Sequence, residues 1–344
     1  MLSDAVLVLM WVGLTCYALF AGADFGGGLW DLLAGGSRSG RTQRALIEHS
    51  IGPVWEANHV WLIFVVVMLW TAFPPVFAAV MSTLYLPLTF TALGIIARGA
   101  AFAFRKASTQ LWQQRLFGAC FAASSVITPL FLGTVAGAIA SGRVPPGLAT
   151  GDLITSWINP TSVLGGILAV LTCAHLAAVY LCADAARINH TDLVRVFQRR
   201  ALASGLLSGA VALAGIGVLK VDAPDLFHGL THRALPLVIL SAVTGVGGLL
   251  LLRASRWGWA RAVSACAVAA ILWAWGAAQY PIMLFPGLTV TEAEATGPVL
   301  ANTLIALGIG AVLLVPSLLW LYTLFQKPGE QEKPTSQAAP RSGP

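Results

Sequence analysis

Apolar residues fall in nine long runs, near residues 5 to 33, 51 to 73, 76 to 104, 116 to 140, 161 to 183, 201 to 219, 236 to 252, 262 to 284 and 299 to 325, separated by short polar stretches. Runs of about 17 to 29 residues match the thickness of a bilayer rather than any need of a soluble core. None alternates polar and apolar positions as a barrel strand does, and hydrocarbon cannot satisfy free backbone N–H and C=O groups, so each run predicts a helix. The expected fold is all-α: a polytopic membrane bundle of about nine transmembrane helices in a single domain over 1–325. The tail 326–344, rich in Pro, Gly, Ser, Gln and Glu, is expected to be disordered. No internal repeat stands out along the chain.

The polar stretches set the orientation. One side collects Arg38, Arg41, Arg44, Arg98, Arg105, Lys106, Arg115, Arg187, Arg195, Arg199, Arg200, Arg253, Arg256, Arg261, Lys327, Lys333 and Arg341, which is 17 of the 20 basic residues. The other side holds only Arg143, Lys220 and Arg233. Cytoplasmic loops carry the Lys and Arg excess, so the N-terminus is expected outside and the C-terminus in the cytoplasm. The first run reads as a span and not as a cleaved signal peptide, because Met1–Asp4 has no basic residue and the run exceeds the length of an h-region.

Composition agrees with this picture. Of 344 residues, 57% are hydrophobic and 10% charged, against roughly 25% charged in a soluble domain. A water-soluble globule is excluded. The net charge of +6 would suggest nucleic acid in a soluble protein, but here it reports topology, and no nucleic-acid partner is expected. Cys16, Cys120, Cys173, Cys182 and Cys266 lie inside apolar runs, are odd in number and form no CxxC, so neither a disulfide framework nor a zinc site follows. They read as small core residues.

Ionisable groups inside spans are expensive, which makes them the functional candidates. The first run holds Asp24 beside Gly26, Gly27 and Gly28, with Asp31 further on; the second holds Glu56, Asn58 and His59 between Trp55 and Trp61; the fifth holds His175. Glu56 and His59 are three apart and share a helix face. Together with Asp24 they fall at similar depth near the cytoplasmic side, where a carboxyl and an imidazole suit a proton relay. Each has a plainer reading. Glu56, next to Pro53, also suits a helix N-terminus or a pair with a snorkelling Arg, and Asp24 suits a capping or packing role. Gly26 to Gly28 read as contact points between helices, lacking the Lys and Ser or Thr of a phosphate loop. Asp31 reads as an interface charge, and Arg98 as a residue that snorkels to the surface. His59 and His175 have matching depth and raise haem ligation as an alternative. His228 and His232, four apart in an outer loop, are too few for a convincing metal site.

The stretch Gly22-Ala23-Asp24-Phe25-Gly26-Gly27-Gly28-Leu29-Trp30-Asp31, followed by Ser50-Ile51-Gly52-Pro53-Val54-Trp55-Glu56-Ala57-Asn58-His59-Val60-Trp61, resembles the second subunit of cytochrome bd-type quinol oxidases. Leu69 to Pro75 and Tyr280 to Pro286 extend the likeness. The family's G-x-D-x-G-x-G motif maps onto Gly22, Asp24, Gly26 and Gly28, and its W-[DE]-x-N motif onto Trp55, Glu56 and Asn58. Many relatives carry another Asp where this chain has Ala21, and Asp where it has Glu56. The resemblance implies a haem-free subunit in the cytoplasmic membrane of a bacterium or archaeon. It implies a larger partner subunit holding two haem b, one haem d and the quinol site, with oxygen reduced to water and protons drawn from the cytoplasm through this subunit. A structural quinone or lipid and a small accessory subunit are compatible with it. The residues alone leave two other classes open: a secondary transporter or channel with intramembrane carboxylates, and a b-haem membrane cytochrome.

Overall fold

The computed structural model describes residues 1–35, 40–51 and 55–326, the side chains of residues 51, 55, 56, 106, 322 and 324–326 apart. It contains thirteen helices among these residues: α1 Leu2–Leu32, α2 Arg41–Ile51, α3 Trp55–Ala72, α4 Pro74–Thr83, α5 Tyr85–Ala107, α6 Leu111–Ala140, α7 Pro160–Arg187, α8 Thr191–Asp222, α9 Pro224–Thr231, α10 Leu235–Arg253, α11 Trp257–Gln279, α12 Val290–Ala293 and α13 Gly297–Gln326. A two-stranded hairpin, β1 Ile282–Leu284 and β2 Leu288–Thr289, precedes α12. Eight helices are long and apolar enough to cross a membrane, and a ninth span is counted if α3 and the short α4 are taken together. The bundle of about nine membrane helices expected from the apolar runs is therefore the fold.

Several boundaries depart from the apolar runs for identifiable reasons. The run 76 to 104 is two helices. Pro74 and Pro75 start α4 after a 120° bend from α3, and a second break at Leu84 precedes α5. Proline is tolerated in a first helical turn but cannot continue the helix before it. The run 262 to 284 stops being helical at Gln279, before Pro281, and ends in β1. The run 201 to 219 is the inner part of α8, which begins ten residues earlier with His190 as N-cap. Between the first two runs, α2 turns Leu46 and Ile47 into the core, 6% and 2% exposed, while Arg41 and Thr42 stay outside. The tail 327–344 lies outside the described residues.

The structure also shows a repetition that the sequence hides. α3 ends at Phe73 (φ −134°, ψ 60°) and α8 ends at Ala223 (φ −140°, ψ 63°). Both residues are buried, and both are followed by a proline that opens a short helix. Each accepts a 3.0 Å hydrogen bond from the residue four ahead, Phe77 or Phe227. A tightly connected helix pair then follows in each half, α5 with α6 and α10 with α11, and after it a Pro-Gly-Leu loop, at 146–148 and 286–288. The chain is thus two four-span halves followed by α13.

Met1–Leu300 form one compact unit, and the chain from Ala301 a second. Within the first, α1 runs through the middle, packed on α3, α6 and α7. The approach is close because α1 offers glycine where its neighbours offer backbone. A Cβ on Gly26 would overlap the Cys173 carbonyl of α7, and one on Gly28 would overlap Ser125 Oγ of α6. Trp30 Nε1 donates to the Ala174 carbonyl at 2.8 Å across the same seam. Small residues at such contacts let membrane helices gain packing and polar contacts without a hydrophobic driving force. Gly26→Val should therefore separate α1 from α7 and cost assembly. The check is the yield of correctly assembled, detergent-solubilised protein, expected to fall severalfold, whereas Gly118→Ala, where an added Cβ meets nothing within 4 Å, should leave it unchanged.

Polar ties hold both ends. At one end, Asp222 on α8 accepts from Arg143 Nη1 (3.1 Å), Thr161 N (3.0 Å) and Thr161 Oγ1 (2.6 Å), joining the end of α6, the start of α7 and the end of α8. At the same end, Tyr280 donates to Asp4 (3.2 Å) and Ala295 N–H donates to the Ala72 carbonyl (2.8 Å), fastening the hairpin segment over α1 and α3. At the other end, a cluster of Trp30, Leu46, Ile47, Leu181, Phe197 and Leu252 closes the core. Cys173 and Cys182 are in the core as expected. Cys120 and Cys266 instead face outward from the bundle, where an apolar run buries a thiol in lipid as readily as in protein.

Candidate functional site

Asp24 lies on the buried side of α1, two turns before its end, and is 4% exposed. Arg98 reaches it from α5. Nη1 donates to Asp24 Oδ2 at 2.9 Å, Nη2 to Oδ1 at 2.9 Å and to the Asp24 carbonyl at 3.1 Å, and Nε to Ser125 Oγ on α6 at 2.9 Å. The guanidinium lies between the rings of Phe25 (5.0 Å) and Phe121 (4.7 Å). Two-pronged carboxylate binding, satisfied donors and aromatic faces are what allow a guanidinium to stay away from water. Arg98 is 1% exposed. The expectation that it snorkels to the surface is therefore wrong: Asp24, deeper in the bundle, is a nearer and better partner than bulk water.

A second rung follows seven residues on. Asp31, 5% exposed, accepts from Arg105 Nη1 at 2.9 Å and lies 3.5 Å from Arg44 Nε on α2. Arg105 also approaches Glu48 of α2 at 4.0 Å. Asp31 is thus an interior charge at the end of the bundle, with two cations around it. Seven residues are two helical turns, about 10 Å along the axis. Equal spacing of Asp24 and Asp31 on α1 and of Arg98 and Arg105 on α5 lets the acidic face of one helix meet the basic face of the other twice. That shared interval was the signal available in the sequence, and single-residue reasoning about charges passes over it.

On α3, Asn58 is 2% exposed and its Nδ2 donates to the Phe20 carbonyl of α1 at 3.4 Å. Its Oδ1 is buried with no hydrogen-bond partner among the described residues, as are Tyr17 Oη and Thr128 Oγ1. His59 lies against α1, its ring 5.9 Å from Phe25 and 6.2 Å from Tyr17. Phe25 therefore touches both Arg98 and His59. Trp61 packs beside the cluster of Tyr17, Ala21, Phe25 and Cys173. The side chains of Trp55 and Glu56 lie outside the described residues, so the expected Glu56–His59 face is fixed only by their places on α3. Gly22 sits against Cys173 and Leu176 of α7, completing with Gly26 and Gly28 a contact stripe.

His175 points elsewhere. Its Nδ1 is 3.0 Å from the Ala201 carbonyl of α8, and the ring lies against Gly205. His59 thus packs on α1, and His175 packs on α8.

Fold and site define a polytopic helical membrane protein whose first half encloses an ion-paired core. The family model for cytochrome bd terminal oxidase subunit II matches residues 2–325, and the chain belongs to that family. Cytochrome bd ubiquinol oxidase subunit 2 of Bacillus subtilis (strain 168) is 24% identical over 346 residues, covering 97% of this chain and 98% of the relative. Cytochrome bd-I ubiquinol oxidase subunit 2 of Escherichia coli (strain K12) is 26% identical over 365 residues, covering 94% of each. In fold, the chain is similar to a chain of the bd oxidase from Geobacillus thermodenitrificans, with a TM-score of 0.75 and 24% identity over 95% of this chain and 99% of that one.

Proposed function

We propose that this chain is the haem-free second subunit of a bd-type terminal quinol oxidase, holding a larger haem-bearing subunit in place and bordering a cytoplasmic path for protons. The observation that carries the reading is the family match across nearly the whole chain, and the buried Asp24–Arg98 pair between α1 and α5, with the buried Asn58 amide of α3 against α1, supports the proton part. In this reading the partner holds two haem b and one haem d and the quinol site, and oxygen is reduced to water there. The complex resides in the cytoplasmic membrane of a bacterium, with the basic ends of the helices inward. A quinone or lipid as structural filler and a small accessory subunit fit the same picture.

Each residue has a role in keeping with its surroundings. Glu56, near the start of α3, takes protons from the cytoplasmic side. Asn58, two residues further on, is turned against α1 and holds a buried acceptor with no partner among the described residues. His59 continues that face inward, and its ring meets Phe25. Asp24 borders the path from α1 while both its oxygens are engaged by Arg98, so it acts as the fixed counter-charge that permits a guanidinium in the interior. Gly22, Gly26 and Gly28 seat α1 against α6 and α7, Trp61 packs α3 on the Tyr17 and Phe25 side of α1, and Trp55 opens α3.

Co-purification tests the assignment. A tagged chain, gently solubilised, should bring down a larger subunit and the visible absorption of haem, and the same chain expressed without that partner should show no Soret band. A chain purified alone that is stable and transports a solute would establish the transporter reading instead. A Soret band from the isolated chain that vanishes in both His59→Ala and His175→Ala would establish a cytochrome.

A further inference from the structure

Count alone makes His228 and His232 a poor metal site, but their arrangement reverses that reading: we infer that they form a two-histidine site for a divalent transition metal on the short helix α9 and its C-cap, between α8 and α10. The two residues are one helical turn apart, and the His232 N–H donates to the His228 carbonyl at 3.1 Å, so the turn that carries them is closed. Both side chains are exposed, and their rings stack with centroids 4.0 Å apart and planes within 13°. Two imidazoles are thus already gathered on one face at the separation from which a common ion can be reached. Metal–imidazole bonds of about 2.0–2.1 Å require the two exposed rings to turn toward a common point.

The tautomer is set for His232. Its Nδ1 lies 2.9 Å from the His228 carbonyl and 3.1 Å from Thr231 Oγ1. A carbonyl only accepts, so Nδ1 carries the proton and the lone pair resides on Nε2, directed away from the backbone. A ligating histidine is ordinarily fixed in this way, through a hydrogen bond from its other ring nitrogen. The platform is rigid as well. Leu226 is buried, 5% exposed, and Gly229 fits against the Ala278 carbonyl so closely that a Cβ there would collide with it. The site therefore loses little backbone freedom on binding. Asp225, three residues before His228, adds a negative charge one turn away, and Arg233 follows His232 on the chain. Two imidazoles with water completing the sphere favour Cu2+ over Ni2+ and Zn2+. The site belongs to the sparsely basic side of the bundle, opposite the end where Asp31 and Arg105 meet.

The test uses the assembled oxidase, purified through a tag without histidine, stripped with chelator and titrated with CuCl2 in a non-coordinating buffer. The wild type should bind one Cu2+ that is absent from His228→Ala/His232→Ala, with electron paramagnetic resonance showing coupling to two nitrogens. Tethering two ligands on one turn raises affinity by about a hundredfold through effective concentration. Each single variant should lose that factor and come close to the double variant, while metal-free turnover stays at the wild-type rate because both side chains are on the surface. A wild type that binds Cu2+ no more tightly than the double variant, or whose spectrum is unchanged in His232→Ala, would overturn the inference.

Discussion

Arg98→Ala is expected to prevent recovery of the folded subunit or to lower its thermal midpoint far more than any surface change. The substitution removes all four donated hydrogen bonds at once and leaves the Asp24 carboxylate, 4% exposed, inside the bundle without its cation. Breaking a buried pair from one side costs about 3–5 kcal/mol, a large share of the roughly 5–15 kcal/mol that holds a domain together. Arg98→Lys should rescue only partly, since an ammonium cannot make the two-pronged contact or lie flat between Phe25 and Phe121. The informative partner is Arg98→Met with Asp24→Asn. Removing both charges takes away the uncompensated ion, so the double variant should be more stable than Arg98→Ala alone. Thermal unfolding of the solubilised complex reads all of these. Wild-type yield and midpoint in Arg98→Ala would show that the pair contributes nothing to assembly.

The sequence made the architecture legible because the bilayer imposes it. A span must be long and apolar, and hydropathy reads that directly, so eight of the nine runs contain a helix that qualifies as a span alone, and the run 51 to 73 holds α3, which makes a ninth when taken with α4. What hydropathy cannot see are the places where the chain turns without becoming polar. The stretch from 51 to 104 hides two helix breaks, one at Phe73 and Pro74 between two runs and one at Leu84 inside the run 76 to 104, because these residues are as apolar as the helices they separate. The internal repetition is hidden for a related reason. Its two halves share backbone devices, the buried residue before proline and the Pro-Gly-Leu loop, and those leave freedom in nearly every other side chain.

Within the site, the residue types were legible and their partners were not. Asp24 and Asn58 were recognisable because a buried polar group in a span demands an explanation. Arg98 was misread because a long cationic side chain has two ways to avoid hydrocarbon, outward to water or inward to a carboxylate, and only the positions of α1 and α5 decide between them. Ser125 gave no signal: one serine in an apolar helix becomes meaningful only beside the Arg98 guanidinium that it accepts from.

Oxygen consumption by the assembled oxidase in Glu56→Ala and Glu56→Asp, at saturating quinol and with haem content measured in the same samples, tests the proton-path proposal most directly. A positioned proton-transfer group contributes about 10²–10⁴ to a rate. Glu56→Ala should therefore lower turnover by at least about tenfold while its haem content stays at the wild-type level. Glu56→Asp, which keeps a carboxyl on the same turn of α3, should stay close to wild type. Full turnover in Glu56→Ala at full haem content would contradict the account and leave Glu56 a capping group at the start of its helix.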